Sequence, residues 1–255
     1  MIELKDVSFT YTADSNRVLK TVSLYAEENS VTAILGPNGV GKTTLLHLLL
    51  GWIRPDSGAV LLGGELLSSY TRREMGLLVG LIPQYEHMSF EYSLLEYVLL
   101  GRTPHLKALQ APTEEDYEIA LHALHVVGLG GIAEKPVTHL SGGEKQLVLT
   151  ARTIAQNPRV LLMDEPMSNL DLANKVKLLS VMNELKDKGA TILFTSHEPE
   201  IAASIADVVI LMGAGNFMRS GTADEVLTSA ALSRVYGIPV TVAEYEGSRI
   251  LIWRR

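Results

Sequence analysis

The sequence predicts an α/β fold: a core with a mostly parallel sheet, an N-terminal antiparallel β element and an inserted α-helical subdomain. Nearly continuous apolar runs, such as Val31–Leu35 and Val160–Met163, are typical of strands buried on both faces of a parallel sheet. Between residues 85 and 158 the spacing is helical and no strand is expected. We therefore predict that residues 1–84 and 159–255 form the core and that residues 85–158 form the helical subdomain.

Composition excludes several classes of protein. The chain has 255 residues, 47% of them apolar, which is enough for one large domain or a domain with an insertion. It contains no cysteine, so disulfides and thiolate metal sites are excluded. No apolar run approaches the roughly 20 residues that span a bilayer, and the charged start is unlike a signal peptide. A net charge of −7 argues against nucleic acid as the main partner.

The N-terminal β element is predicted from alternation. Residues 2–9 and 19–26 alternate roughly between apolar and polar side chains, as antiparallel strands with one wet face do. A polar turn at residues 12–16 separates them. Tyr11, just before that turn, is either a ring that stacks on a base or an ordinary aromatic at a strand end.

A phosphate-binding loop follows the third strand, so the core is predicted to be of the P-loop NTPase type. Its sequence reads G-x-x-x-x-G-K-T and lies between the strand Val31–Leu35 and a helix predicted from Thr44 onward. Glycines let backbone N–H groups turn toward phosphate oxygens, and the helix start favours an anion. The Lys42 ammonium suits the β- and γ-phosphates, and the Thr43 hydroxyl suits Mg²⁺.

The middle of the chain continues with two strands and then helices. We predict strands at residues 59–62 and 77–82, the second ending in Pro83–Gln84. Helices are expected at residues 93–100, 113–127 and 142–155, the second with an acidic capping start at Thr113.

The C-terminal part returns to alternating strands and helices. The strand at Val160–Met163 ends in Asp164–Glu165, which brings two carboxylates to the sheet edge where ligands bind in open α/β folds; the first suits Mg²⁺ and the second a water molecule. A helix at residues 172–188 and a strand at 190–195 follow, and His197 comes next, placed to reach a terminal phosphate. We further predict a strand at 208–212, a turn-rich return at 215–221 and a hairpin at 241–253.

Residues 140–144, Leu-Ser-Gly-Gly-Glu, have no role that we can derive within a single chain. They resemble the LSGGQ signature of ATP-binding cassette (ABC) ATPases, with glutamate at the nominal glutamine position. The phosphate loop, the Asp-Glu strand end and the strand-end histidine occur in the order of that family, so the resemblance covers essentially the whole chain.

The resemblance implies an ATPase that uses ATP and Mg²⁺. Three residues would act in catalysis: Glu165 on the attacking water, His197 as the switch histidine, and Gln84 as the glutamine that also contacts Mg²⁺. Thr43 and Asp164 would be the other metal ligands. The nucleotide would be bound by Tyr11 on adenine, by the loop residues Gly36, Pro37, Asn38, Gly39, Gly41, Lys42, Thr43 and Thr44, and by Ser141, Gly142, Gly143, Glu144 and Asp171.

The resemblance also implies partners. In this family the signature loop of one subunit covers the ATP held by the other, so two ATP molecules are buried in a head-to-tail homodimer. Residues 90–93, 98–105 and 170–174 are similar to ATPases of importers for iron chelates, haem, cobalamin, or molybdate and tungstate. This implies a peripheral protein on the cytoplasmic face of the inner membrane, bound to two integral-membrane permease subunits and indirectly to a substrate-binding protein, with no nucleic acid partner.

Two alternatives stay open at this point. A non-transport ABC ATPase acting on DNA or the ribosome would need a long coiled coil or a second cassette, and neither is evident here. A simple P-loop kinase or GTPase has no use for the signature motif. We therefore expect the ATPase of an importer for a metal chelate, with a molybdate or tungstate importer as the alternative.

Overall fold

The computed structural model describes residues 1–12, 17–214, 217–246 and 248–253. Most of the turn predicted at 12–16 therefore lies outside the described residues. Along the first 70 residues the elements are β1 (Ile2–Phe9), β2 (Leu19–Ala26), β3 (Val31–Leu35), α1 (Lys42–Leu49), β4 (Ser57–Leu62) and β5 (Glu65–Leu66).

Residues 71–190 contain two strands and five α-helices. They are α2 (Arg72–Leu78), β6 (Val79–Ile82), α3 (Leu94–Leu99), α4 (Glu114–Val126), α5 (Gly142–Gln156), β7 (Val160–Met163) and α6 (Leu172–Asp187).

The remaining residues return to alternating strands and helices before a final hairpin. The elements are β8 (Thr191–Ser196), α7 (Pro199–Ile205), β9 (Val208–Gly213), β10 (Phe217–Gly221), α8 (Ala223–Val226), α9 (Ser229–Tyr236), β11 (Val240–Tyr245) and β12 (Ser248–Trp253).

Backbone contacts divide the chain into two compact units. The first unit comprises residues 1–70 and 191–255, and the second comprises residues 71–190. The boundaries that we expect from the sequence, 84/85 and 158/159, concern where an ATP-binding core gives way to a helical subdomain, and they stay a prediction.

The first unit contains the predicted antiparallel element. Four strands pair in the order β2-β1-β4-β5, and β1 is antiparallel to both of its neighbours. The expected alternation holds only at the start of β1, where Ile2 and Leu4 are buried; Lys5 and Asp6 are both exposed, and the pairing register shifts there.

The same unit contains parallel strands. β3 pairs with both β8 and β9 in parallel, and all five of its residues are buried. Leu35 lies opposite Ser196, so the chain leaves β3 and β8 at the same edge, where ligands bind in parallel sheets. The turn-rich return predicted at 215–221 is wrong for residues 217–221, which form β10 and pair antiparallel with β9; residues 215–216 lie outside the description.

In the second unit, β6 and β7 pair in parallel with Ile82 opposite Met163. The Asp164 N–H continues this ladder by donating to the Ile82 carbonyl at 2.8 Å. The strand predicted at 77–82 begins only at Val79, because residues 72–78 form α2. Thr71 and Glu74 cap this helix reciprocally, and that local stabilisation overrides the apolar run at residues 77–78.

Helices α3, α4 and α5 pack together in the second unit through buried apolar side chains, including Leu94, Val98, Leu124 and Val148. The acidic cap predicted for α4 is present, since Thr113 accepts from the Asp116 N–H and Asp116 accepts from the Thr113 N–H. Between the end of β6 and the start of β7 the named elements are all helices, joined by loops.

Candidate active site

The phosphate loop connects β3 to α1, and a side chain at either of two of its glycines would come close to neighbouring atoms. A Cβ on Gly36 would come within 2.4 Å of the Met212 carbonyl oxygen, and the residue has φ +156°. Gly41 is the N-cap of α1 with φ 107°, and a Cβ there would lie 3.0 Å from Leu19. Close packing of backbone against β9 and β2 therefore fixes the path of the loop.

Lys42 points its ammonium back at the loop. Its Nζ donates to the Gly36 carbonyl at 2.8 Å and to the Pro37 carbonyl at 3.3 Å, and the side chain is buried. Asn38 and Gly39 form the exposed tip, and Thr43 is exposed in the first turn of α1. The helix starts without a side-chain cap and without an acidic residue in its first turn, which favours an anion there.

Tyr11 lies at the start of the same helix. Its hydroxyl and that of Thr44 are hydrogen-bonded at 3.1 Å, and its ring meets Phe9 edge-on with centroids 4.9 Å apart. The Tyr11 side chain is largely exposed, so a face of the ring is accessible for stacking while its edge is held by the protein.

His197 follows β8 and is exposed at the edge where the phosphate loop leaves β3. The Tyr236 hydroxyl from α9 donates to the His197 carbonyl at 3.4 Å. Burial, assisted by the charge of Glu200, raises the pKa of Tyr236 to about 12, so this phenol stays protonated near neutral pH. In the first unit, therefore, Tyr11 lies beside the start of α1, and the phosphate loop and His197 follow the neighbouring parallel strands β3 and β8.

The second unit brings Asp164, Glu165 and Gln84 together. Asp164 is buried at the end of β7, and Glu165 adopts the left-handed backbone conformation with φ 43°, which is uncommon for this residue type. Ser168 holds that turn, because its N–H and hydroxyl both donate to the Glu165 carbonyl. The Gln84 amide donates to the Glu165 carboxylate at 3.4 Å.

The signature stretch also has a structural role within one chain, which the spacing of its residues did not lead us to predict. Ser141 is the N-cap of α5; it accepts from the Glu144 N–H, and its own N–H donates to the Glu144 carboxylate at 2.8 Å. Hydrogen bonds from Ser141, with a smaller effect of nearby Lys135, lower the pKa of Glu144. The sequence pattern S-x-x-E is itself the signal of a capping box, and it was available at residues 141–144.

The two signature glycines differ in their surroundings. A Cβ on Gly142 would meet nothing within 4 Å, whereas a Cβ on Gly143 would lie 3.4 Å from the Asn174 side chain. Asp171 caps α6 by accepting from the Asn174 N–H at 2.8 Å. The second unit therefore places the start of α5 beside the start of α6.

The donor sets suit MgATP. In the first unit, the uncapped start of α1 and the buried Lys42 suit phosphates, and the Thr43 hydroxyl is a hard oxygen ligand. In the second unit, Asp164 and Gln84 carry oxygens of the kind that Mg²⁺ prefers. When bound, the ion would neutralise charge on the phosphates. The Glu165 carboxylate can accept a hydrogen bond from a water molecule and orient it for attack.

One group beside Gln84 was missed by the sequence analysis. Arg152 on α5 binds the Glu86 carboxylate with both terminal nitrogens, at 2.6 and 2.8 Å, and Tyr97 on α3 bonds to both. Glu86 and Arg152 are 66 positions apart, so no local spacing signals the pair.

The chain is similar to known proteins of one family. The family described as ABC transporter matches residues 19–168. The chain is 37% identical over 235 residues to the hemin import ATP-binding protein HmuV of Gloeobacter violaceus, covering 89% of this chain and 85% of that protein. It is 35% identical over 240 residues to the molybdate import ATP-binding protein MolC of Haemophilus influenzae, covering 94% and 89%.

Among solved structures, an ABC transporter described as metal-chelate type, in an inward-facing conformation, matches with a TM-score of 0.85 and 33% identity, covering 99% of this chain and 96% of that one. None of the helices in the parts of the chain that the structure describes is both long and apolar enough to cross a membrane.

Proposed function

We propose, from the premise that this chain belongs to the ABC transporter family and is one of its ATPases, that it is the ATP-hydrolysing subunit of a membrane importer for a metal chelate. The observation that carries the proposal is the hydrogen bond between Gln84 and Glu165. This hydrogen bond connects the Glu165 carboxylate, which is suited to orient water, with Gln84. Gln84 lies in a segment whose aromatic side chains, such as Tyr85, are exposed.

That surface supports a membrane partner. Tyr85 is 73% exposed and Phe90 is 69% exposed, and the Phe90 and Tyr92 rings lie 5.8 Å apart. Clustered exposed aromatic side chains are typical of sites that another protein covers. We infer that the membrane subunits bind here and that the protein is held peripherally at the cytoplasmic face of the membrane.

Different residues would bind ATP and Mg²⁺ and would act on the attacking water and the terminal phosphate. The phosphate loop with Lys42 would bind the β- and γ-phosphates, Tyr11 the adenine, and Thr43 and Asp164 the Mg²⁺ ion. Glu165 would accept a hydrogen bond from the attacking water, and His197 would stabilise charge on the terminal phosphate. Ser141 and the two following glycines would contact ATP held by a second copy of the chain, which requires a homodimer.

The proposed substrate rests on what related proteins transport. The hemin importer ATPase and the metal-chelate type transporter support a chelate, transferred to the membrane subunits by a substrate-binding protein. The molybdate importer ATPase supports an oxyanion as the second candidate. Proteoliposomes containing this chain and its membrane subunits would distinguish the two, by ATP-dependent uptake of labelled hemin or iron–siderophore against labelled molybdate.

The ATPase assignment is tested by Glu165→Gln. We expect kcat to fall by about 100-fold or more, because the amide accepts a proton poorly, while ATP binding persists. The matched control is Glu184→Gln, which removes an exposed carboxylate paired with Lys188 on α6 and should leave kcat unchanged. Equal rates in Glu165→Gln and the wild type would contradict the role assigned to this carboxylate.

A further inference from the structure

A half-buried cluster of three side chains lies beside Gln84. Arg152 binds both carboxylate oxygens of Glu86, at 2.6 and 2.8 Å, and donates to the Tyr97 hydroxyl at 2.7 Å. Tyr97 in turn donates to Glu86, and the guanidinium carbon lies 5.1 Å from the centre of the Tyr97 ring. We call these three residues the Arg152 cluster.

The Glu86–Arg152 pair of the cluster is held in its ionised form. Burial raises the pKa of the Glu86 carboxyl, but hydrogen bonds from Arg152 and Tyr97 outweigh this and leave that pKa below its ordinary value. A bidentate guanidinium–carboxylate pair also fixes the relative orientation of the two groups, unlike a point charge. The cluster therefore specifies where the backbone around Glu86 lies.

Apart from the Arg152 cluster, the segment that carries Glu86 is held mainly near its two ends: the Gln146 side chain on α5 donates to the Pro83 carbonyl at 3.5 Å, and the Val137 N–H donates to the Tyr92 carbonyl at 2.9 Å. β6 ends at Ile82 and α3 begins at Leu94, and residues 83–92 form neither a helix nor a strand. Gln84 is two positions before Glu86, and its amide lies 3.4 Å from the Glu165 carboxylate. A shift of Glu86 therefore reaches Gln84 through two peptide units.

The other side of the cluster is rigid. Arg152 belongs to α5, whose Gln156 side chain donates to the Val79 and Gly76 carbonyls at 2.9 and 2.7 Å. A Cβ on Gly101 would come within 2.2 Å of the Arg152 carbonyl, so backbone packs directly on this turn of α5. The same helix begins at Ser141.

We propose that Arg152, Glu86 and Tyr97 are positioning residues for ATP hydrolysis: through them α5 holds the segment of Gln84, and thereby aligns the Gln84 amide with the Glu165 carboxylate. The inference rests on the proposed function, since it concerns the same hydrolytic step. None of the three side chains needs to touch the nucleotide.

The test compares Arg152→Lys with the wild type. Lysine keeps the charge but cannot make the bidentate contact with the Glu86 carboxylate. Gln84 and Glu165 therefore lose their alignment. We expect kcat for ATP hydrolysis to fall by about 10-fold with KM for ATP changed less than about twofold, because misalignment affects the reacting atoms more than binding. Tyr97→Phe removes a single hydroxyl, and should lower kcat in the same direction by a smaller factor.

The control is Arg249→Lys. Arg249 has a similarly half-buried guanidinium that donates to the Ala223 carbonyl at 2.9 Å and pairs with Asp224, but it belongs to β12 and anchors the C-terminal hairpin. This variant should lower the melting temperature without lowering kcat. If Arg152→Lys and Tyr97→Phe lower kcat no more than Arg249→Lys does, the cluster is merely structural and the proposal is overturned.

Hydrogen exchange separates this proposal from the proposed function. We expect backbone amides of residues 84–92 to exchange faster in Arg152→Lys than in the wild type or Arg249→Lys, without nucleotide. Unchanged exchange there would overturn the positioning role. A wild-type chain that does not hydrolyse ATP would instead contradict the proposed function, whatever the exchange experiment shows.

Discussion

Gly36 and Gly39 lie in one loop, but a methyl group would meet different surroundings at each. At Gly36 it would lie 2.4 Å from the Met212 carbonyl oxygen, which belongs to the backbone of β9. At Gly39 it would meet nothing within 4 Å, although φ is +81°. The first glycine is therefore needed for space and the second only for its backbone conformation.

This difference predicts the stabilities of two alanine variants. Gly39→Ala should cost about 1–2 kcal/mol, the strain of a left-handed backbone. Gly36→Ala should cost more than about 3 kcal/mol, because strand backbone has to move. Urea unfolding without nucleotide measures both, each variant serving as the control for the other, and equal losses would show that the loop is free to shift away from β9.

The carboxyl of Asp116 gives a pH-dependent contribution to stability. It accepts from the Thr113 N–H at 2.9 Å and from Arg102 at 2.9 Å. Hydrogen bonds from Thr113, together with Arg102, lower the pKa of Asp116 from 3.8 to about 2. A group whose pKa is lowered on folding stabilises the folded state above its unfolded pKa, and this contribution is lost as the pH falls through the folded pKa.

Asp116→Asn should therefore lower the melting temperature at neutral pH and lower it progressively less as the pH falls below about 4. Melting curves from pH 7 to pH 3 measure the difference from the wild type. The control is Asp187→Asn, which changes an exposed carboxyl at the last residue of α6, and its effect should not follow the same profile. A constant difference for Asp116→Asn would contradict the assigned ionisation.

Helices α3 and α5 both begin with a capping box, but only the start of α5 is proposed to contact a nucleotide. Ser93 accepts from the Glu96 N–H at 3.2 Å and donates its N–H to Glu96 at 2.8 Å. Ser141 and Glu144 repeat both distances. The two capping boxes are thus matched in geometry, and only the one at Ser141 belongs to the signature stretch.

Ser93→Ala and Ser141→Ala should each cost about 1 kcal/mol of stability through the lost cap. Only Ser141→Ala should also reduce ATP hydrolysis, by about 10-fold or more, because its hydroxyl is proposed to contact the nucleotide of a second copy. Urea unfolding and steady-state kinetics on both variants measure this. If the two variants lose activity equally, the signature serine acts only as a helix cap.

Elements with strong local signals were predicted well. The strands at residues 2–9, 19–26 and 31–35 have the predicted ends, because turns or the glycine loop bound each apolar pattern. α2 was missed because its capping box at Thr71 was overlooked and its last residues resemble a strand. β10 was missed because its pairing with β9 arises from a neighbour and not from its own pattern.

The residues of the candidate site, too, were predicted from the sequence only where a local pattern signals them. The phosphate loop, the Asp164–Glu165 strand end and His197 each follow a strand, so sequence order alone places them at strand ends. The contact between Tyr11 and Thr44 and the Arg152 cluster depend on side chains brought together by the fold, with separations of 33 and 66 positions. No periodicity encodes such pairs, and they require the structure.

For the molecule as a whole, the proposed function requires two copies of the chain, because Ser141 is expected to complete a nucleotide site on a partner. Glu165→Gln should bind MgATP without hydrolysing it, so we expect this variant to be a monomer without nucleotide and a dimer with it, as measured by sedimentation velocity. Adding Ser141→Ala should abolish the dimer, whereas adding Ser93→Ala, which removes an equivalent cap, should leave it intact. A Glu165→Gln chain that stays monomeric in saturating MgATP would contradict the shared site. Dimers that also form with Ser141→Ala would show that the chains associate through another surface.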